Sequence, residues 1–305
     1  MDAVTTNFLN GFAKMVKASE GKSLEEARAM SKAFFSVPKS SFETVARFEN
    51  VLVPDQEYAI PVRVFIPEGK GPFPLMIHFH GGGWVFGGID QNENFCRRMA
   101  NRAKAVVATV EYRLAPENPF PKGVEDCYKA TQWLIEHAKQ FSADAHRVCV
   151  AGESAGGTLA AAVALMARDR KGPKIALQLL LYPVTTSSLD KKVYDESPDQ
   201  SFVTFAGMNK YWQMYVQNPK ELKNSYASPL DCSDLSNLPP AYIVAAEFDP
   251  LCVEAIAYAK KLKSFGVSVE SKVYPRTIHS FMNMPVDLKY TEQAIQEAAA
   301  RVRAL

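Results

Sequence analysis

The chain reads as an α/β protein: a mostly parallel sheet of about eight strands flanked by helices, with a helical cap. Three observations carry this reading. From residue 75 onward, short apolar runs alternate with amphipathic helical segments, the βαβ rhythm of a parallel sheet. Several of those runs, such as Leu177-Gln178-Leu179-Leu180-Leu181, are apolar almost throughout, as strands covered on both faces require. A chain of 305 residues with 47% hydrophobic composition can also bury a large core.

The elements follow in order. Phe8, Leu9, Phe12, Met15 and Val16 recur at helical spacing, as do Leu24, Ala27, Met30 and Phe34. Residues 1 to about 40 therefore predict two amphipathic helices whose apolar faces must cover something. Val45–Val53 and Ala59–Ile66 read as an antiparallel edge hairpin, with turn chemistry at Pro54-Asp55. Further strands are expected at Leu75–Phe79, Ala105–Tyr112, Arg147–Ala151, Ile175–Tyr182, Ala241–Ala246 and Ser268–Tyr274. Helices fall at about Glu93–Ala103, Gly123–Gln140, Ala155–Arg170, Leu251–Phe265 and Glu292–Ala304. Residues 184–235 break the rhythm with polar turns, prolines and the aromatics Phe205, Tyr211, Trp212 and Tyr215. We read that stretch as an insertion that joins residues 1–44 to form a cap over the domain of residues 45–305.

Composition excludes several classes. A net charge of +2 without a dense Lys/Arg tract argues against nucleic acid as a partner. The five cysteines are scattered and lack C-x-x-C spacing, so neither a disulfide framework nor a zinc site is expected. No basic segment opens the chain, and no run approaches the roughly 18 apolar residues of a membrane span. The expectation is a cytoplasmic protein without membrane insertion; a homodimer is left open.

The chemistry centres on Val148-Cys149-Val150-Ala151-Gly152-Glu153-Ser154-Ala155-Gly156-Gly157. One serine stands between two glycines, after an apolar strand and before an Ala/Leu-rich helix, the context of a G-x-S-x-G nucleophile elbow. The helix behind it aims free N–H groups and a positive dipole end at the place where an oxyanion would form. Upstream, His80-Gly81-Gly82-Gly83-Trp84 follows a strand directly, and successive glycines let backbone N–H groups converge on one spot. A phosphate cradle is the competing reading, but no G-x-x-x-x-G-K-[S/T] accompanies the loop.

A serine nucleophile needs a base and an orienting acid. Of five histidines, His137 lies on a helix of ordinary amphipathic pattern, His146 precedes the elbow strand on the face away from it, His78 lies within a strand, and His80 opens the glycine loop in a structural role. His279 remains, after the last strand. Asp249 follows the preceding strand, giving the order serine, acid, histidine. An N-cap is the competing role for Asp249. Strand alternation turns Glu247 to the other face, and Glu254 is the weaker rival.

The motifs HGGGW at 80–84, YRLAPE at 112–117, GESAGG at 152–157, Asp249-Pro250-Leu251 and Ile278-His279 together resemble the hormone-sensitive-lipase-like branch of α/β-hydrolase carboxylesterases, over nearly the whole chain. The resemblance implies Ser154 as nucleophile, His279 as general base and acid, and Asp249 as orienter. It also implies oxyanion donors at the N–H groups of Gly82, Gly83 and Ala155, with no metal or organic cofactor. The chain departs from the usual pattern at Asn118, Thr158, Cys252-Val253 and Ser280, the last standing where glycine is usual. Glu153 is expected to order the elbow and nearby loops. Trp84, Phe86, Phe205 and Trp212 are expected to line a closed pocket for short-to-medium acyl esters. Two alternatives stand beside this reading: an amidase or formamidase on the same triad, and a non-catalytic small-molecule receptor of the same fold. The presence of His279 disfavours the receptor.

Overall fold

The computed structural model describes residues 1–199 and 201–305. Two N-terminal helices, α1 (Ala3–Ser19) and α2 (Leu24–Phe35), precede strands β1 (Arg47–Val53), β2 (Ile60–Ile66) and β3 (Phe73–Phe79). Then come α3 (Ile89–Ala103), β4 (Val106–Val110), α4 (Lys122–Glu136), β5 (Ala143–Glu153), α5 (Ala155–Asp169) and β6 (Leu177–Leu181). Helices α6 (Lys191–Glu196) and α7 (Phe205–Tyr215) occupy the insertion, followed by β7 (Ala241–Ala246), α8 (Cys252–Ser264), β8 (Val269–Tyr274) and α9 (Thr291–Arg303). Among the described residues, no helix is long and apolar enough to cross a membrane.

The strands form one eight-stranded sheet in the order β1-β2-β4-β3-β5-β6-β7-β8. The β1–β2 and β2–β4 pairs are antiparallel, and every pair from β4 to β8 is parallel. All residues of β3, β4, β6 and β7 are buried, because helices cover both faces. The strand order also places the site. The chain leaves β3 to build β4 on one side, then returns to lay β5 on the other. Loops leaving the carboxyl ends of β3 and β5 therefore part in opposite directions and open a crevice between them. The glycine loop leaves β3 and the serine turn leaves β5.

Among the boundaries that differ from the sequence expectation, two concern histidines. Strand β5 starts at Ala143, so exposed His146 lies inside a strand rather than before one. Helix α4 stops at Glu136 rather than running to residue 140: His137 caps it, and a 3-10 turn over Ala138–Phe141 leads to Ser142 at φ 59°. That left-handed residue reverses the chain into β5.

Helix α1 is capped by Asp2, which accepts from the Thr5 N–H, and α2 by a reciprocal Ser23–Glu26 box. Their apolar faces meet the insertion at a knot of phenylalanines. Phe12 lies 4.5 Å from Phe202 edge-on, and Phe8 and Phe35 lie 5.9 and 6.3 Å from the same ring. Such pairs add roughly 0.5–1.5 kcal/mol each beyond their burial. Arg28 ties α2 to the body, donating to the Val85 and Ala115 carbonyls and in bidentate fashion to Glu117.

Candidate active site

Ser154 sits where β5 turns into α5, with φ 56° and ψ −123°, a conformation that non-glycine residues avoid. The turn closes because its two glycines carry no side chain. A Cβ on Gly156 would stand 1.9 Å from the Phe79 carbonyl oxygen, and one on Gly152 would stand 2.1 Å from the Gly156 carbonyl oxygen. The Ser154 N–H bonds the Leu181 carbonyl at 2.9 Å, pinning the turn to β6. A strained residue held this firmly marks a position over-determined by its surroundings.

The loops after β7 and β8 bring the other two groups. His279 Nε2 lies 2.8 Å from Ser154 Oγ, and its Nδ1 lies 2.6 Å from Asp249 Oδ2. The carboxylate at Nδ1 holds the ring proton there, leaving Nε2 to accept from the serine hydroxyl. Asp249 and His279 are 3% and 4% exposed, so their attraction acts in a site largely closed to water. The other Asp249 oxygen accepts from the Leu251 N–H at 2.9 Å, closing a turn ahead of α8 rather than capping it, since Leu251 is the helix's N-cap residue. Glu247 turns away and accepts from the Arg276 N–H, while Glu254 accepts from the Thr185 N–H at 2.5 Å. Neither touches His279. Burial pushes the Cys127 and Cys149 thiols up, which leaves them poor rival nucleophiles.

Among the described residues, the N–H groups of Gly82, Gly83 and Ala155 have no hydrogen-bond acceptor. Ala155 is the first residue of α5, where the helix leaves its N–H groups unpaired. Glu153 braces this arrangement. One of its oxygens accepts from the Gly81 N–H at 2.8 Å and from Asn283 Nδ2 at 3.3 Å; the other lies 2.6 Å from His78 Nε2. One buried carboxylate thus links β3, the glycine loop and the turn after His279. Burial alone would lower the His78 pKa, but the Glu153 carboxylate and Cys96 outweigh it and raise it to about 10. His80 stacks on Tyr112 with ring centroids 4.3 Å apart and bonds the Gly81 carbonyl through Nδ1 at 2.8 Å, a local structural part.

A cavity of about 720 Å³ opens over Ser154 and His279. Helices α1 and α2 wall it through Phe12, Met15, Leu24 and Phe35, and the insertion through Phe202, Met208, Tyr211 and Met214. Of the four side chains expected to line it, Phe86 does so; Trp84, Trp212 and Phe205 do not. The Trp84 backbone is left-handed at φ 60°, and its indole is buried in the core, stacked on Tyr215 at 4.2 Å and 4.7 Å from Trp212. Phe205 packs edge-on against Tyr194. Trp84 against Trp212 and Tyr215 fastens α7 to the body, and Phe205 against Tyr194 ties α7 to α6. The wall falls to Phe35, Phe202 and Tyr211 instead. Phe202 lay unflagged in the polar-looking stretch before α7, where no periodic signal marked it.

Comparison with known proteins shows the family. The profile of a family described as alpha/beta hydrolase fold matches residues 76–283. The chain is 32% identical over 308 aligned residues to the carboxylesterase NlhH of Mycobacterium tuberculosis, covering 99% of this chain and 95% of that one. It is 36% identical over 251 residues to the esterase LipI of the same bacterium, covering 81% and 78%. Its structure is similar to that of a hyperthermophilic esterase from the archaeon Pyrobaculum calidifontis, with a TM-score of 0.92, 34% identity and coverage of 100% and 98%.

Proposed function

The chain belongs to the alpha/beta hydrolase fold family, in its hormone-sensitive-lipase-like carboxylesterase branch, and we propose that Ser154, His279 and Asp249 are its nucleophile, base and orienting acid. The observation that carries the assignment is the unbroken pair of contacts from Ser154 Oγ to His279 Nε2 and from His279 Nδ1 to Asp249 Oδ2.

The enzyme is a serine carboxylic ester hydrolase, and the geometry supports the following steps. His279 takes the Ser154 proton as Oγ attacks the ester carbonyl, and Asp249 stabilises the imidazolium so formed. Negative charge grows on the carbonyl oxygen and meets the unpaired N–H groups of Gly82, Gly83 and Ala155. Such donors are each worth about 10²–10³ in rate when preorganised. His279 then hands its proton to the departing alkoxide, leaving Ser154 acylated. Water enters, loses a proton to His279, and the same sequence in reverse releases the acid.

The N-terminal helices and the 184–235 insertion act as a cap, and the bounded apolar cavity suits acyl chains up to about eight carbons. The substrate is a small-molecule ester, and nucleic acid plays no part. The cysteines are all free thiols, four of them buried, which supports a reducing, cytoplasmic setting.

The test is Ser154→Ala, which should fold normally yet lose nearly all turnover of p-nitrophenyl acetate. A serine-directed phosphonate should label the wild type at Ser154 alone. Retention of more than a few per cent of kcat, or labelling elsewhere, removes the assignment. Across p-nitrophenyl esters from acetate to palmitate, rates should peak at or below about eight carbons. A palmitate optimum would contradict the proposed chain-length limit while leaving the triad standing.

A further inference from the structure

The cavity over Ser154 is largely apolar, with charged and polar residues such as Glu20, Lys22 and Lys210 elsewhere in its lining, and Gln91, Asn92, Glu153, Ser280 and Asn283 give it a polar corner. Asn92 and Glu153 are both buried, at 3% exposure each. Asn283 joins them: its amide donates to Asn92 Oδ1 and, at 3.3 Å, to Glu153. Asn92 in turn donates to the Gly88 carbonyl at 2.9 Å. Three polar groups are left over. Among the described residues, the Gln91 amide, the Ser280 hydroxyl and Asn283 Oδ1 have no hydrogen-bond partner, yet all three residues line the cavity. Ser280 also stands at φ 61°, a backbone conformation glycine adopts at no cost, so its hydroxyl is carried there against a local preference.

The position of this corner indicates which part of a substrate meets it. Ser280 and Asn283 lie on the turn that begins at His279, and Glu153 is the chain neighbour of Ser154. His279 Nε2 is the atom that returns a proton to the departing oxygen, so the leaving alcohol must lie against this turn. The corner carries little net charge, because His78 and the Gly81 N–H occupy the Glu153 carboxylate. A neutral donor–acceptor group therefore suits it better than an ammonium or a carboxylate.

We propose that Gln91, Ser280 and Asn283 form a subsite for a hydroxyl group on the leaving alcohol, making monoesters of diols preferred over alkyl esters of equal size. The inference rests on the ester-hydrolase reading and deepens it. The subsite works in both directions of the acyl transfer. A diol entering the acylated enzyme loses its proton to His279 and attacks the acyl carbon. The Ser154–acyl bond breaks, and Ser154 regains the proton from His279 as the diol monoester leaves.

The experiment compares kcat/KM for 2-hydroxyethyl acetate and propyl acetate, each normalised to its rate with hydroxide. The wild type should favour the hydroxy ester about tenfold, the worth of one net hydrogen bond at a partly enclosed site. The double variant Gln91→Met with Ser280→Gly should bring that ratio close to one. Should the double variant fail to fold, Ser280→Gly alone carries the test, since its backbone already suits glycine. As a second readout, the acetylated enzyme is offered ethylene glycol and 1-propanol at equal concentration, and the two acetates formed are counted. The glycol should win in the wild type and lose its lead in the variant. A ratio near one in the wild type, or a ratio the variants leave unchanged, overturns the subsite. Turnover of p-nitrophenyl acetate in the same preparations reports on the ester-hydrolase reading separately: its absence overturns that reading, its presence without a hydroxyl preference overturns only the subsite.

Discussion

Gly156→Ala is the most direct test of how the elbow is built. The added methyl would stand 1.9 Å from the Phe79 carbonyl oxygen and 2.7 Å from that of His80, where real Cβ contacts essentially never fall below 3.0 Å. Helix α5 and strand β3 must therefore separate by about 1 Å, and neither yields easily in a close-packed interior. Phe79 is paired on both sides, with Val110 of β4 and Gly152 of β5. Overpacking against such backbone should cost about 3 kcal/mol, lowering Tm by roughly 5–10 °C in a domain of this size. The same displacement moves Ser154 relative to His279, and a misplacement near 1 Å costs on the order of 10²-fold in rate. Gly11→Ala is the contrast. Its Cβ meets only the Phe34 ring edge, at an ordinary 3.4 Å, within helix α1. That change should stabilise by about 0.5–1 kcal/mol. Thermal unfolding followed by circular dichroism and kcat on p-nitrophenyl acetate decide the matter. If Gly156→Ala kept Tm within about 2 °C and turned over at the wild-type rate, the steric account of the elbow would be refuted.

Other outcomes follow from the same geometry. His279→Ala and Asp249→Asn should each lower kcat by roughly 10³–10⁴, and adding either to Ser154→Ala should cost little more, because the three act as a unit. Glu254→Gln should leave kcat within about an order of magnitude; equal damage from it and Asp249→Asn in steady-state kinetics would move the acid to Glu254. Burial pushes the Glu254 carboxyl up from 4.5 to about 8. Between those pH values the native state keeps a proton that the unfolded chain has shed, so this group makes stability fall as pH rises. The slope approaches about 1.4 kcal/mol per pH unit at most. Urea unfolding at pH 5 and pH 8 should show Glu254→Gln gaining on the wild type at the higher pH; a gap that does not change with pH would contradict the buried, protonated carboxyl.

How much could be read without coordinates depended on whether a signal was local. Strand and helix order, the turn at Ser154 and the glycine loop are written in neighbouring residues, because backbone sterics and side-chain alternation act over a few positions. The sequence also pointed to Ser154, Asp249 and His279, through the elbow motif, the elimination of the other histidines and the chain order of serine, acid and histidine. It placed β7 at Ala241–Ala246 without error, since a buried apolar run bounded by prolines leaves little freedom. The cavity wall was different. Trp84, Trp212 and Phe205 are as apolar as Phe12, Phe35 and Phe202, and composition does not tell which ring faces a void and which faces another ring. That choice depends on how α1, α2 and α7 pack from segments far apart in the chain, and on the left-handed turn at Trp84 that sends its indole inward. The polar corner shows the same division. Gln91 and Asn283 are unremarkable in sequence, and they join Glu153 in one surface only because β3 and β5 are neighbours in the sheet and the chain returns from β8 beside them. Motifs are local and the sequence by itself determined them; a site wall is a sum of long-range contacts, and only tertiary packing decided it.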